Sequence, residues 1–294
     1  MMINKEEIVK SPLRYPGGKS RALKRILPLI QDFDEYREPM VGGGSVFFAI
    51  KQKYPERKYW INDINKDLYL FWKECQQRPE ELIATIINFR RMFVKGKRPK
   101  KREGKELYYY LMSNKDNLTK LEKAARFFIL NRITFYGLVE SGGYSDEAFK
   151  KRFTESSIER VRKASTILQN VKITNMDYEK LVNRAGKNVF LFLDPPYMDN
   201  AEAKLYGEKG RFHEHFNHKR FAENMKKCKH KYLITYDDCS GVRKLYTFAN
   251  ANGLHIKRWR LRYGTNNGAK NKKSNTASIG KELFIFNYEV KANK

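Results

Sequence analysis

The densest apolar run in the sequence, Val189–Leu193, ends in Asp194-Pro195-Pro196-Tyr197. Two consecutive prolines stop a strand and fix the backbone in an extended turn. Such a turn holds the Asp194 carboxylate and the Pro195 carbonyl side by side as acceptors, with the Tyr197 ring beside them. Two converging acceptors and an aromatic plate suit a planar exocyclic amine on a base. The ring stacks on the base while the acceptors take its N–H groups and aim the nitrogen lone pair at an electrophile. The plainer alternative is an Asx-type turn with a packed tyrosine.

A second cluster is Glu38-Pro-Met-Val-Gly42-Gly43-Gly44-Ser-Val-Phe-Phe48. Glycines between a strand end and a helix opening at Ser45 let the backbone pass close to a ligand and expose helix N-terminal N–H groups. The spacing is not G-x-G-x-x-G, so no dinucleotide fingerprint is matched. Asp63, at the end of the next short strand (Lys58–Ile61), is placed to accept hydrogen bonds from a ribose. A tight turn with a helix-capping acid would explain the same two pieces.

Two further patterns are set aside. Gly18-Lys19-Ser20 would need a glycine at position 13 to make a phosphate-binding loop, and Leu13 stands there. His213, His215 and His218, with Cys228 beyond, suggest zinc, but the surrounding sequence is too polar and irregular for a metal site, and none is expected.

The elements that must position these residues follow from periodicity. Short strands are expected at 58–61, 171–174, 189–193, 232–236, 255–261 and 283–288. Helices are expected at 20–30, 67–91, 105–131 and 178–185, with a hairpin or loop at 137–144. Strands alternate with helices at both ends while the middle is helical. That order predicts an α/β domain interrupted by a helical insertion: residues 1–70 and 166–294 form the first, 71–165 the second.

The chain has 294 residues, with 60 Lys and Arg against 33 Asp and Glu, a net charge of +27. From Arg90 to Lys105 there are nine basic residues and one acid, including Lys97, Arg98, Lys100, Lys101 and Arg102. From Cys239 to Lys281 there are ten basic residues and no acid. Two such zones predict a polyanionic partner, nucleic acid rather than membrane, since no basic amphipathic helix dominates. No apolar run approaches the roughly 18 residues of a bilayer span. Met1–Ser11 has no apolar signal core, and three scattered cysteines fit a reducing compartment, so a cytoplasmic location is expected.

Taken in order, Pro16-Gly-Gly-Lys19, Glu38 to Gly44, Asn62-Asp63-Ile-Asn65, a helical insertion, Asn131-Arg132 and Asp194 to Tyr197 resemble the Dam-like (D12 class) DNA N6-adenine methyltransferases. The resemblance covers nearly the whole chain. It implies a Rossmann-like, mixed-sheet methyltransferase domain dependent on S-adenosylmethionine, with a mostly helical inserted target-recognition domain. Tyr15 and Lys19 would line the cofactor pocket, Gly42, Gly43 and Gly44 would cradle its methionine part, Asp63 would hold the ribose, and Asp177 its adenine. Asp194 to Tyr197 would hold a flipped adenine in double-stranded DNA, with N6 attacking the methyl group directly. Arg132 would open the DNA-reading segment, which includes Phe135, Tyr136 and Leu138. A cognate restriction endonuclease is the further partner implied.

One position departs from the family pattern. Dam-like readers of GATC carry a basic residue shortly after the Gly-Leu step, and Glu140 stands at the matching place. Arg reads guanine, whereas Glu accepts from cytosine N4, so a target other than GATC is expected. The rival readings are cytosine-N4 methylation, an RNA substrate, and a DNA-binding protein on an inactive methyltransferase frame. Asp before Pro-Pro-Tyr favours adenine by family analogy.

Overall fold

Parallel strands need crossovers long enough to return to the same end of the sheet, and the alternating segments of this sequence supply them. The structure is a computed structural model that describes residues 8–96, 100–198, 216–247, 253–262 and 279–290. Seven strands, β1 (Glu35–Glu38), β2 (Lys58–Asn62), β3 (Val171–Thr174), β4 (Val189–Leu193), β5 (Lys231–Asp237), β6 (His255–Arg262) and β7 (Ile279–Phe286), form one sheet. Their order is β3-β2-β1-β4-β5-β7-β6. The first five run parallel, and β7 lies antiparallel between β5 and β6. The chain order reverses between β1 and β4, so their carboxyl ends open a crevice of the kind that binds ligands in such sheets.

All five residues of β4 are buried. Phe190 and Phe192 point into one core, while Val189, Leu191 and Leu193 point into the other. That two-residue alternation is what a strand covered on both faces requires.

Among the described residues the helices are α1 (Leu23–Ile26), α2 (Ser45–Lys53), α3 (Lys66–Gln77), α4 (Pro79–Phe93), α5 (Lys101–Ser113), α6 (Lys120–Ile133), α7 (Asp146–Arg152), α8 (Glu155–Ile167), α9 (Glu179–Val182), α10 (His218–Lys227) and α11 (Ser240–Leu245). Helices α3 to α8 all lie between β2 and β3. Helix α6 is their centre, buried at every position from Ala124 to Ile133.

Several expected elements break where local chemistry interrupts them. The helix expected over 67–91 divides at Arg78, because Pro79 lacks the N–H a continuous helix needs and opens α4 instead. The helix expected over 105–131 divides between Ser113 and Lys120, where Thr119 and Glu122 form a capping box that starts α6. The helix over 20–30 is reduced to one turn between two 3₁₀ turns, the second holding Pro28. The 178–185 helix shrinks to α9. Positions 71 and 165 fall inside α3 and α8, which touch β3 and α2 on the sheet side as well as the other inserted helices.

Candidate active site

The glycine turn sits at the carboxyl end of β1. The Gly42 N–H donates to Asp63 Oδ2 at 2.9 Å, and the Asn65 N–H donates to Asp63 Oδ1 at 3.0 Å. Gly42 and Gly44 have φ of 48° and 69°, a region that favours glycine. The Tyr15 side chain packs on the turn so closely that a Cβ at Gly43 would lie 2.6 Å from Tyr15 Cβ. Asn62 stitches the strand ends together: its amide donates to the Pro39 and Met176 carbonyls at 2.9 and 2.8 Å and accepts from the Thr174 hydroxyl at 2.9 Å. Burial pushes the Asp63 carboxyl up to about 6, even though its N–H donors pull the other way.

Asp194 follows β4 directly. Its Oδ2 accepts from Lys19 Nζ at 2.6 Å and its Oδ1 from the Thr235 hydroxyl of β5 at 2.7 Å. Lys19 also donates to the Gly17 carbonyl at 2.9 Å and stands 4.9 Å from the centre of the Tyr197 ring. The Tyr197 hydroxyl donates to Glu282 of β7 at 2.6 Å, and the Met198 N–H donates to Asp237 at 3.1 Å. The carboxylate is thus fixed by two side chains, Lys19 and Thr235, and the ring by Glu282 at its hydroxyl and Lys19 at its face. Thr235, Asp237 and Glu282 had no part in the sequence reading. An acid immediately before the apolar run Leu283–Phe286 was the available signal for Glu282.

Glu38, at the end of β1, is 3% exposed and accepts from the Tyr36 hydroxyl at 2.6 Å. Glu38, Asp63 and Asp194 therefore gather at one crevice, where among the described residues one ammonium, that of Lys19, is bound to the last of them. Such an excess of carboxylates fits a cationic sulfonium, and the close-packed glycine turn fits a ligand lying against bare backbone. The residues present suit S-adenosylmethionine.

A family model for D12 class N6 adenine-specific DNA methyltransferases matches residues 15–262. The chain belongs to that family. A type II methyltransferase of Methanocaldococcus jannaschii, M.MjaIII, is 32% identical over 209 residues, covering 64% of this chain and 69% of the relative. M1.LlaDCHI, a type II methyltransferase of Lactococcus lactis subsp. cremoris, is 26% identical over 98% of this chain and 99% of its own length. A DNA adenine methylase of Vibrio cholerae is 25% identical over 86% of this chain and 90% of its own. The protein is accordingly a DNA adenine-N6 methyltransferase that takes its methyl group from S-adenosylmethionine.

On this methyltransferase the segment after α6 projects outward. A single antiparallel bridge joins Thr134 to Tyr144, and a 3₁₀ turn covers Phe135–Gly137. Phe135 and Tyr136 are about half exposed, Leu138 less so, and Tyr136 holds a left-handed φ of 56°. That conformation is uncommon for a bulky residue. Arg132, by contrast, is buried, and its Nε has no hydrogen-bond partner among the described residues. Burial, together with the charges of Arg160, Arg14 and Arg152, pulls its guanidinium down to about 9. None of these four arginines is ion-paired among the described residues. Arg14 is held in place by Asn131, whose side chain accepts from the Arg14 N–H at 2.9 Å and donates to its carbonyl at 2.6 Å. In the sequence only Arg132 stands out, within its family motif, since the other three look locally like any surface arginine.

Glu140 is placed differently from its expected role as a base reader. Its Oε1 accepts from Arg126 at 3.0 Å and Lys115 at 3.4 Å, and Arg126 and Lys115 also reach Asp67 at 3.6 and 3.8 Å. Burial works to raise the Glu140 carboxyl, but these cations outweigh it and hold it below the usual range. In the protein without DNA, Glu140 ties the segment after α6 to the inserted helices. Asp177 caps α9 through the Glu179 N–H and pairs with Arg220 at 3.2 Å. Lys100, Lys101 and Arg102 are exposed at the start of α5, with Arg102 paired to Glu106 at 2.8 Å. Lys97, Arg98, His213 and His215 lie outside the described residues, as does most of the 263–280 loop. His218 hydrogen-bonds to the Tyr236 hydroxyl, and no group of three or more metal-ligating side chains occurs among the described residues. No helix among them is long and apolar enough to cross a membrane.

Proposed function

We propose that the protein methylates adenine N6 in double-stranded DNA, drawing the base out of the helix into the Asp194–Tyr197 turn. The observation that carries this reading is the Asp194 carboxylate, held between Lys19 and Thr235 at the point where the strand order reverses, beside a fixed tyrosine ring. The Asp194 and Pro195 acceptors would take the amine hydrogens and turn the nitrogen lone pair outward. Bound S-adenosylmethionine supplies an electrophilic methyl carbon. Held by Asp194 and Pro195, N6 would attack that carbon directly as the carbon–sulfur bond breaks, and the amine proton would pass to solvent. Asp63 would hold the ribose hydroxyls, and the Gly42–Gly44 turn the methionine part. The type II names of two relatives support a modification role beside a cognate endonuclease. The helices from α3 to α8, with the Phe135–Tyr144 segment, would form the recognition domain.

Tritiated cofactor with duplex DNA, followed by nucleoside analysis, should give N6-methyladenine. N4-methylcytosine alone, or label in RNA but not DNA, would overturn the substrate assignment.

The unpaired arginines support a phosphate contact at Arg132. Arg132→Met should make the plot of log affinity for duplex against log salt shallower by about 1. Without DNA the same change should leave melting temperature equal or higher, since it removes a buried charge repelled by three neighbours. An unchanged salt slope would remove Arg132 from the DNA surface.

A further inference from the structure

Glu38 has no part in the steps above, yet its carboxyl is more deeply buried than that of Asp63 or Asp194. Its partners are the Tyr36 hydroxyl and the Phe47 N–H in the first turn of α2. No lysine or arginine is ion-paired with it among the described residues. The charged and titratable groups facing it are Asp63 from the end of β2, Asp194 from the end of β4, and Tyr36 on its own strand, itself packed against Tyr59 of β2. The Lys19 ammonium is bound to Asp194. Burial pushes the Glu38 carboxyl up to about 8, with Asp194 and Asp63 adding to the rise and the Tyr36 and Phe47 donors opposing it. Around pH 7 it therefore carries its proton in the free protein.

The methyl donor and its product differ by one charge: the sulfonium of S-adenosylmethionine is cationic, and the thioether of S-adenosylhomocysteine is neutral. We propose that Glu38 reads this difference, keeping its proton in the free protein and beside the product, and releasing it to solvent when the cationic sulfur occupies the crevice. The inference rests on the reading that the Gly42–Asp63–Asp194 crevice holds the cofactor. Only one bond changes, the carboxyl O–H, and its proton goes to buffer. Glu38 is thus a positioning and specificity residue that acts through charge, favouring uptake of the donor and letting the spent product go. Cofactor affinity should rise as pH approaches 8 from below, by up to about tenfold per unit, while product affinity gains no such increment. Above about 8 the carboxyl is already ionised in the free protein and the difference disappears. Asp63 titrates lower, near 6, and holds the ribose of either ligand, so a comparison at pH 7 or above isolates Glu38.

The test is titration calorimetry of the full chain at pH 7 in buffers of differing ionisation enthalpy, with each of the two ligands. S-adenosylmethionine should release more protons than S-adenosylhomocysteine, by up to about 0.9 per site, and the excess should vanish by pH 9. Glu38→Gln should bind both ligands with equal proton counts. Tyr36→Phe removes a donor that favours the carboxylate, so it should move the window of excess release to higher pH, a shift that a merely structural role would not produce. Equal counts in the wild type, an excess surviving in Glu38→Gln, or an unmoved window in Tyr36→Phe overturns the proposal. Heat with equal counts sinks Glu38 alone; no binding of either ligand sinks the crevice assignment with it.

Discussion

Asp194→Ala should lower kcat for methyl transfer by at least about 10³-fold while leaving duplex affinity within about tenfold. The carboxylate is an acceptor already aimed by two donors, Lys19 at 2.6 Å and Thr235 at 2.7 Å, so it needs no reorganisation when the amine arrives. Removing it deletes an acceptor that grows in importance as positive charge builds on N6 during transfer. It also leaves the Lys19 ammonium, 5% exposed, with the Gly17 carbonyl and the face of the Tyr197 ring as its remaining partners among the described residues. A buried ammonium stripped of its partner is costly in its own right. The chemical effect must therefore be separated from loss of fold. Asp194→Asn keeps the shape, and Thr235→Val removes one orienting bond, so the first should lose most of the activity and the second about tenfold, with melting temperature followed for each. Tritium transfer at saturating cofactor and DNA is the measurement. Asp194→Ala working within tenfold of the parent would end the assignment.

The Asp194 turn was legible from sequence because its cause is local: Pro195 and Pro196 dictate the backbone that presents the carboxylate. The glycine turn was legible for the same reason. What holds Asp194 was not, because Lys19 lies 175 positions before it and Thr235 comes from β5, and only the sheet brings the three together. Glu140 shows the same dependence on distant partners. Its acid type suggested a base reader, but Arg126, fourteen positions earlier on α6, claims the carboxylate once the helices pack. Arg14, Arg152 and Arg160 carry no local mark either, since their shared feature is that no acid among the described residues pairs with them, a property of the folded neighbourhood alone. For Glu38 the residue was visible within its motif, while its proton depends on burial and on two distant acids. The helix breaks at Pro79 and Thr119 belong to a third class: their chemistry was in view, but apolar periodicity runs on past both.

Gly43→Ala should weaken cofactor binding by roughly 10- to 100-fold, the equivalent of about 1–3 kcal/mol of overpacking. The added methyl would meet Tyr15 at its Cβ, 2.6 Å away, and not at the far end of the ring. No rotamer change moves a Cβ, so the Tyr15 backbone or the glycine turn must shift. The Tyr15 side is the stiffer one, because Asn131 pins the adjacent Arg14 through both its N–H and its carbonyl. The displacement falls on the turn, and the 2.9 Å bond from the Gly42 N–H to Asp63 is stretched or lost. Gly42→Ala makes the informative contrast. Its methyl would meet the ring edge, Tyr15 Cε1 at 2.8 Å, which can swing aside, leaving mainly the strain of φ 48° at roughly 1–2 kcal/mol. Gly43→Ala should therefore be at least as damaging as Gly42→Ala despite its ordinary backbone conformation. Equilibrium binding of S-adenosylmethionine to both variants decides it, and a Gly43→Ala protein within threefold of the parent would show that the Tyr15 contact does not shape the pocket.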